Sequence, residues 1–217
     1  MAVGLPDESS DVSVSDLRRL TNELIDETRR LLRRCTDEDI SFVPEDPYAF
    51  DPGAATDHEA NMAWTLGHII VHMTASSEEF AAVAAELARG VAYHGRSRHE
   101  VPWEGITTAE QCYARLEESR RMRLASLGMW PGSPHLENVF VPWEGAPELG
   151  PVQVYLFGMK HEFGHLDQVR DAAAQARTFR LRRTRLGRVR LWWGAHAGVG
   201  EAVGMTAGTS SQRSGLL

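Results

Sequence analysis

Apolar residues return at helical spacing along the first patterned stretch of the chain. In "SVSDLRRLTNELIDETRRLLRRC", residues 13–35, Leu17, Leu20, Leu24, Ile25, Thr28, Leu31 and Leu32 recur every three to four positions with charges between them. Such a stripe buries one face of an amphipathic helix and leaves the other in water. Ser15 is placed to cap it. The next stretch, "TDEDISFVPEDPYAFDPGAATDHEA", is rich in Pro, Asp and Gly and predicts a long irregular connection.

A second helix is expected over 60–89, "ANMAWTLGHIIVHMTASSEEFAAVAAELA", with Gly90 as its stop. Its first half is apolar around much of its circumference, the pattern of a helix buried on several sides. After a connection over 90–106, Thr107 and Glu110 make a capping box that opens a third helix over 108–127, closed by Gly128. Residues 128–150 form another connection, and Pro151 suits the first position of a fourth helix over 151–177. Strand-like alternation is absent; the best candidate, "LENVFVPW" at 136–143, is short. Four long helices with long connections predict an all-α four-helix bundle, and such connections let neighbouring helices run parallel. The segment "VPWEG" occurs at 101–105 and again at 141–145, each time before a predicted helix. Its tryptophan serves either as a lid on the core or as the wall of a pocket mouth.

Charge divides the chain. Residues 1–176 hold 29 acids against 15 bases, whereas residues 177–217 hold 8 arginines against one acid. An acidic body argues against a polyanion such as nucleic acid as partner. Lys160 is the single lysine, and arginine usage with abundant Ala and Gly suggests a GC-rich genome. The expected organisation is a flexible N-terminus over 1–12, a helical body over 13–176, and a basic, then Gly-rich, poorly ordered tail over 177–217. The functional reading of that tail is a segment that binds an acidic partner or folds back on the acidic body. No apolar run is long enough to span a membrane, and no basic-then-apolar leader opens the chain, so a cytoplasmic location is expected. Cys35 and Cys112 show no metal or disulfide spacing and are expected as reduced thiols in or near a core.

The candidate chemistry begins at residues 161–165, "HEFGH". On the fourth helix Phe157, His161, His165 and Gln168 share one stripe. Two imidazoles one turn apart form half a site for Zn²⁺, Ni²⁺ or Fe²⁺. The second helix adds "WTLGHIIVH", with His68 and His72 four apart on an apolar element. Buried neutral histidines need partners for both ring nitrogens, and a metal shared between two helices supplies them. The peptidase reading of H-E-x-x-H fares poorly. The extended pattern wants Gly and His where this chain has Gln168 and Asp171, and the only acid beyond Asp171 is Glu201. Glu162 also sits about 100° around the helix from His161.

Trp64 with seven residues between it and His72, the acidic "SSEE", and His161, His165 and Gln168 on the last helix together resemble the DinB/YfiT superfamily over residues 13–176. "WTLGHIIVH" also resembles, locally, the N-terminal domain of mycothiol-dependent maleylpyruvate isomerase. The resemblance implies a DinB-like four-helix bundle of mixed helix directions, often a homodimer. It implies a divalent metal held by His72, His161 and His165, with His68 as neighbour, proton carrier or alternative ligand and Gln168 beside the ligands. Position 167 is Asp, which departs from the H-x-x-x-H-x-E pattern of the sulfoxide synthases. Three ligands leave metal positions open, so the implied function is a metal-dependent thiol S-transferase or isomerase acting on a small molecule, with mycothiol as co-substrate. A non-catalytic metal-stabilised stress or binding protein and a metal-dependent hydrolase are the alternatives. Arg96, Arg98 or Arg120 are candidates to hold a substrate carboxylate, although solvated surface charge is the simpler reading.

Overall fold

The computed structural model describes residues 4–6, 11–51, 56–95 and 101–197, without the side chains of Glu59 and of 186–197. The expectation of a flexible N-terminus falls partly on residues 1–3 and 7–10, outside the described residues.

Helix α1 spans Val14–Leu32. Its cap is Ser13 rather than Ser15, because only Ser13 has an acid three residues on. The Ser13 hydroxyl accepts from the Asp16 amide (3.2 Å), and the Asp16 carboxylate accepts from the Ser13 amide (3.2 Å). Two single-turn helices follow, α2 over Asp37–Ile40 and α3 over Asp57–Ala60. The second long helix, α4, spans Leu66–Ala88. It starts later than position 60 because Thr65 supplies a hydroxyl that accepts from the His68 amide at 3.2 Å. Gly90 ends it at φ +87°, where the Val91 amide returns to the Glu86 carbonyl at 3.0 Å.

A 3-10 turn at Trp103–Gly105 precedes α5, Ala109–Gly128. The capping box is Thr108 with Gln111, one residue beyond the expected pair. Gln111 Oε1 accepts from the Thr108 amide (3.0 Å) and also from the Thr107 amide (2.9 Å), which no side chain on Glu110 could match. Helix α6 spans Pro151–Gly164 and α7 spans Leu166–Ala197. The sequence suggests one helix over 151–177; the structure breaks it at His165 and carries the second part on to Ala197. Leu, Arg and Ala are good helix formers and no proline intervenes, so the helix outlasts its apolar stripe. The poorly ordered tail expected for 177–217 therefore begins as helix, and residues 198–217 lie outside the described ones. Residues 1–178 form one compact unit and 179–217 a second. In the second, Phe179 and Leu181 are exposed. Among the described residues there is no strand, only a single antiparallel bridge between Phe140 and Leu149.

The chain folds as a helical bundle of α1, α4, α5 and α6 with α4 at its centre, packed chiefly on α6 and α5. Helices α4 and α6 run antiparallel, since His72 meets His161 while Phe80, further along α4, meets Phe157, earlier on α6. Helices α4 and α5 run parallel. The start of α4 touches Ile106 just before α5, and its last turn bonds His135 just after α5. Residues 89–108 make the return run that a parallel pair requires.

Leu17, Leu20, Leu24 and Ile25 of α1 belong to one buried core with Leu66, Ile69, Ile70 and Met73 of α4 and Val154, Leu156 and Met159 of α6, and α1 itself packs on α5 and α6. Each such side chain contributes about 1.5–3 kcal/mol of burial. Gly158 permits the close α4–α6 approach, because a Cβ there would stand 2.8 Å from the Phe80 Cβ. Polar groups meet in pairs within the core. The Thr21 hydroxyl pairs with the Tyr155 hydroxyl at 2.8 Å, and Arg115 pairs with Glu78 and donates to Thr74 Oγ1 at 3.1 Å.

Candidate metal centre

The fold brings together three histidines from two antiparallel helices. His72 stands in the second turn of α4, His161 in the last turn of α6, and His165 at the break after it. His72 Nε2 lies 3.2 Å from His161 Nε2, which lies 3.4 Å from His165 Nε2. One ligand nitrogen from each of the three fits within 4.8 Å of the others. A tetrahedral ion with bonds of about 2.0–2.1 Å separates its ligands by about 3.3–3.4 Å, so this spacing matches the edge of a coordination polyhedron. Hydrogen bonding alone explains it less well, because a proton on His161 Nε2 can point at only one of its two neighbours.

The charge state fits as well. Burial pushes the imidazolium pKa of His72 and of His161 down to about 4, and the neighbouring histidines add to the effect. Both are therefore neutral at pH 7, the form that binds a metal. Gln168, one turn past His165, accepts from His165 Nδ1 at 2.8 Å. That bond fixes the proton on Nδ1 and turns the Nε2 lone pair toward the other two rings, the usual orienting contact of a ligand histidine. His161 Nδ1 is buried without a partner among the described residues. The residues present thus suit a divalent cation held by His72, His161 and His165.

His68 is not among the converging nitrogens. Its ring is sandwiched between Trp64, centroids 4.5 Å apart, and Trp103, 4.3 Å apart and parallel within 1°. Burial depresses its pKa to about 4. Trp64 also lies 4.5 Å from His72 and 5.9 Å from His165 by ring centroids, so one indole backs the whole set. The two "VPWEG" copies differ in use. Trp103 covers His68, whereas Trp143 is exposed beside Phe157.

Glu162, the residue that a peptidase would use as base, points away. Its side chain is wholly buried and Arg123 of α5, equally buried, donates to its Oε2 at 2.5 Å. The Ser77 hydroxyl is 2.9 Å from the same oxygen. One helical step of about 100° separates His161, facing α4's histidines, from Glu162, facing α5. A carboxylate so engaged does not activate water at the triad. Cys112 is likewise no nucleophile, since burial pushes its thiol pKa to about 12.

Sequence reasoning missed the partners of Glu162 and the rim of the site. A cleft of about 140 Å³ opens beside His165, lined by Asp46, Tyr48, Phe50, Met62, Trp64 and Gln168 among others. No periodicity marks residues 46–50, which lie in an irregular connection. Arg120, considered as a substrate anchor, bonds instead to Asn22 and Asp26 on α1, while Arg96 and Arg98 lie outside the described residues.

The sequence model of the DinB superfamily matches residues 20–169, a span that includes all three triad histidines. The chain belongs to the DinB superfamily. Membership and geometry agree on a helical bundle with a histidine triad able to hold a metal. No curated protein and no solved structure matches the chain. Among the described residues no helix is long and apolar enough to cross a membrane.

Proposed function

We propose that this DinB-superfamily chain is a divalent-metal enzyme that transfers a low-molecular-weight thiol to a small electrophile, with mycothiol as the co-substrate of choice. The observation that carries the reading is the convergence of three imidazoles next to an open cleft, rather than inside a closed four-ligand cage. His72, His161 and His165 supply the ligands, Gln168 holds the tautomer of His165, and Trp64 keeps water from one side. A bound divalent ion lowers the pKa of a coordinated thiol or water. In the reaction the thiol sulfur forms a bond to the electrophilic carbon, the leaving group departs with its electron pair, and the thiol proton passes to solvent. The engagement of Glu162 with Arg123 favours this route over a hydrolase, which needs a base at the metal. A cytoplasmic homodimer belongs to the same reading.

Two measurements test it in order. Elemental mass spectrometry of untagged protein is expected to find about one divalent ion per chain, lost in His161→Ala. Thiol-dependent product formation with mycothiol and a generic electrophile is then expected. Turnover without thiol supports the hydrolase, and metal without turnover supports a metal-stabilised binding protein. Absence of metal after reconstitution with Zn²⁺, Ni²⁺ and Fe²⁺ removes the chemistry altogether.

A further inference from the structure

Resting on the metal-centre reading above, we infer that the site accepts uncharged or cationic substrates and turns away those carrying a carboxylate near the reacting group. Among the described residues, the charged side chains that line the cleft or act on the triad histidines are acids. Asp46 lines the cleft beside His165, and no lysine or arginine appears in that lining. Asp51 is near enough to act on His68, His72 and His161, and Glu104, next to Trp103, acts on His68. The arginines of α5 are committed elsewhere: Arg115 to Glu78, Arg120 to Asp26, Arg121 to Glu118, and Arg123 to Glu162.

The acids are held in place. Gln175 of α7 clamps the connection from both sides, its Oε1 accepting from the Glu45 amide at 2.9 Å and its Nε2 donating to the Glu45 carbonyl at 3.1 Å. The Asp46 carboxylate accepts from the Tyr48 amide at 3.2 Å, forming a turn that sets Tyr48 and Phe50 on the rim. At the far end the Asp51 amide donates to the Ala60 carbonyl at 2.7 Å. A fixed acidic rim acts on every ligand that enters, and a like charge inside a walled cleft is repelled over several ångströms.

The remaining walls are apolar. Tyr48, Phe50, Met62 and Trp64 line an open cleft of about 140 Å³. The fit is a small apolar or aromatic group, placed directly against His165. A dicarboxylate of the maleylpyruvate kind meets Asp46 and Asp51, and apart from a bound metal ion it finds no cation in the cleft lining to pair with. Substrate class is therefore set by the connection between α2 and α4, not by the histidines.

Cobalt-loaded protein tests this with three thiols of matched length: 2-mercaptoethanol, cysteamine and 3-mercaptopropionate. The sulfur-to-cobalt charge-transfer band gives a Kd for each. The carboxylate thiol is expected to bind at least about tenfold more weakly than the neutral one. The ammonium thiol is expected to bind as tightly as the neutral one or better. Asp46→Asn with Asp51→Asn is expected to shrink the carboxylate penalty several-fold, and Asp46→Asn alone to shrink it in part. These ratios remove the intrinsic differences between the thiols. An unchanged penalty in both variants, or a carboxylate thiol that binds best to fully loaded protein, overturns the inference while leaving the metal centre intact. Failure to take up cobalt overturns the metal centre and the inference together, whereas a loaded protein that shows no band with any thiol overturns the thiol reading and the inference but leaves the metal centre.

Discussion

His72 Nε2 and His161 Nε2 stand 3.2 Å apart although 89 residues separate them in the chain. The contact exists because α4 and α6 are antiparallel neighbours, and because Gly158 lets them approach closely beside Phe80 and Ser77. His165 joins them from the helix break, oriented by Gln168. Each of these relationships carries a measurable consequence.

Metal should raise the melting temperature of the folded chain, because an ion that binds only the native state stabilises it by about 2.7 kcal/mol at a concentration one hundredfold above its Kd. His72→Ala is expected to abolish most of that rise. His68→Ala should leave most of it, since its ring stacks between Trp64 and Trp103 outside the triad. Differential scanning fluorimetry with and without Zn²⁺ checks the pair, and equal loss in both variants contradicts the ligand assignment.

Glu162→Gln should destabilise the fold without removing the metal. The substitution preserves shape but strands the wholly buried Arg123 guanidinium, and breaking such a pair costs about 3–5 kcal/mol. Urea unfolding reads the loss and elemental analysis reads the retained ion. A stable variant that has lost only activity would instead restore Glu162 as a base.

The metal-free protein should weaken in acid over a defined window. His68, His72 and His161 protonate near pH 4 when folded, against 6.5 for an ordinary histidine, burial being the main cause. Between those values the unfolded chain binds protons that the folded chain refuses. Stability therefore rises with pH across the window, is complete above about 6.5, and is lost as pH falls toward 4. Urea midpoints measured from pH 8 to pH 4 on apo protein test this, with a flat profile as the contrary result.

The two repeated tryptophans should behave differently. Trp103→Ala removes a parallel stack on His68 and is expected to cost about 1 kcal/mol or more. Trp143→Ala touches an exposed ring and should fall within about 0.5 kcal/mol of the unchanged chain. Chemical denaturation of the two variants under one condition separates them, and equal costs would mean that the repeat is structural at both copies.

The sequence alone determined the helical class, the apolar stripe of α1, the start of α6 at Pro151 and two histidine pairs, His68 with His72 and His161 with His165; the choice of His72, His161 and His165 as ligands came from the family resemblance. Those features are local: a 3.6-residue repeat, a residue with fixed φ, and two imidazoles one turn apart on one face. Helix starts shifted by a few residues wherever a competing cap was better placed, as Ser13 with Asp16 and Thr108 with Gln111 show. Only the tertiary structure decided the rest. It set Glu162 against Arg123, stacked His68 between two tryptophans and broke the last long helix at His165. It also placed Asp46, Tyr48 and Phe50 beside His165, on a connection that Gln175 holds at Glu45. These contacts join residues far apart in the chain, and no local propensity encodes which side of a packed helix will meet which neighbour.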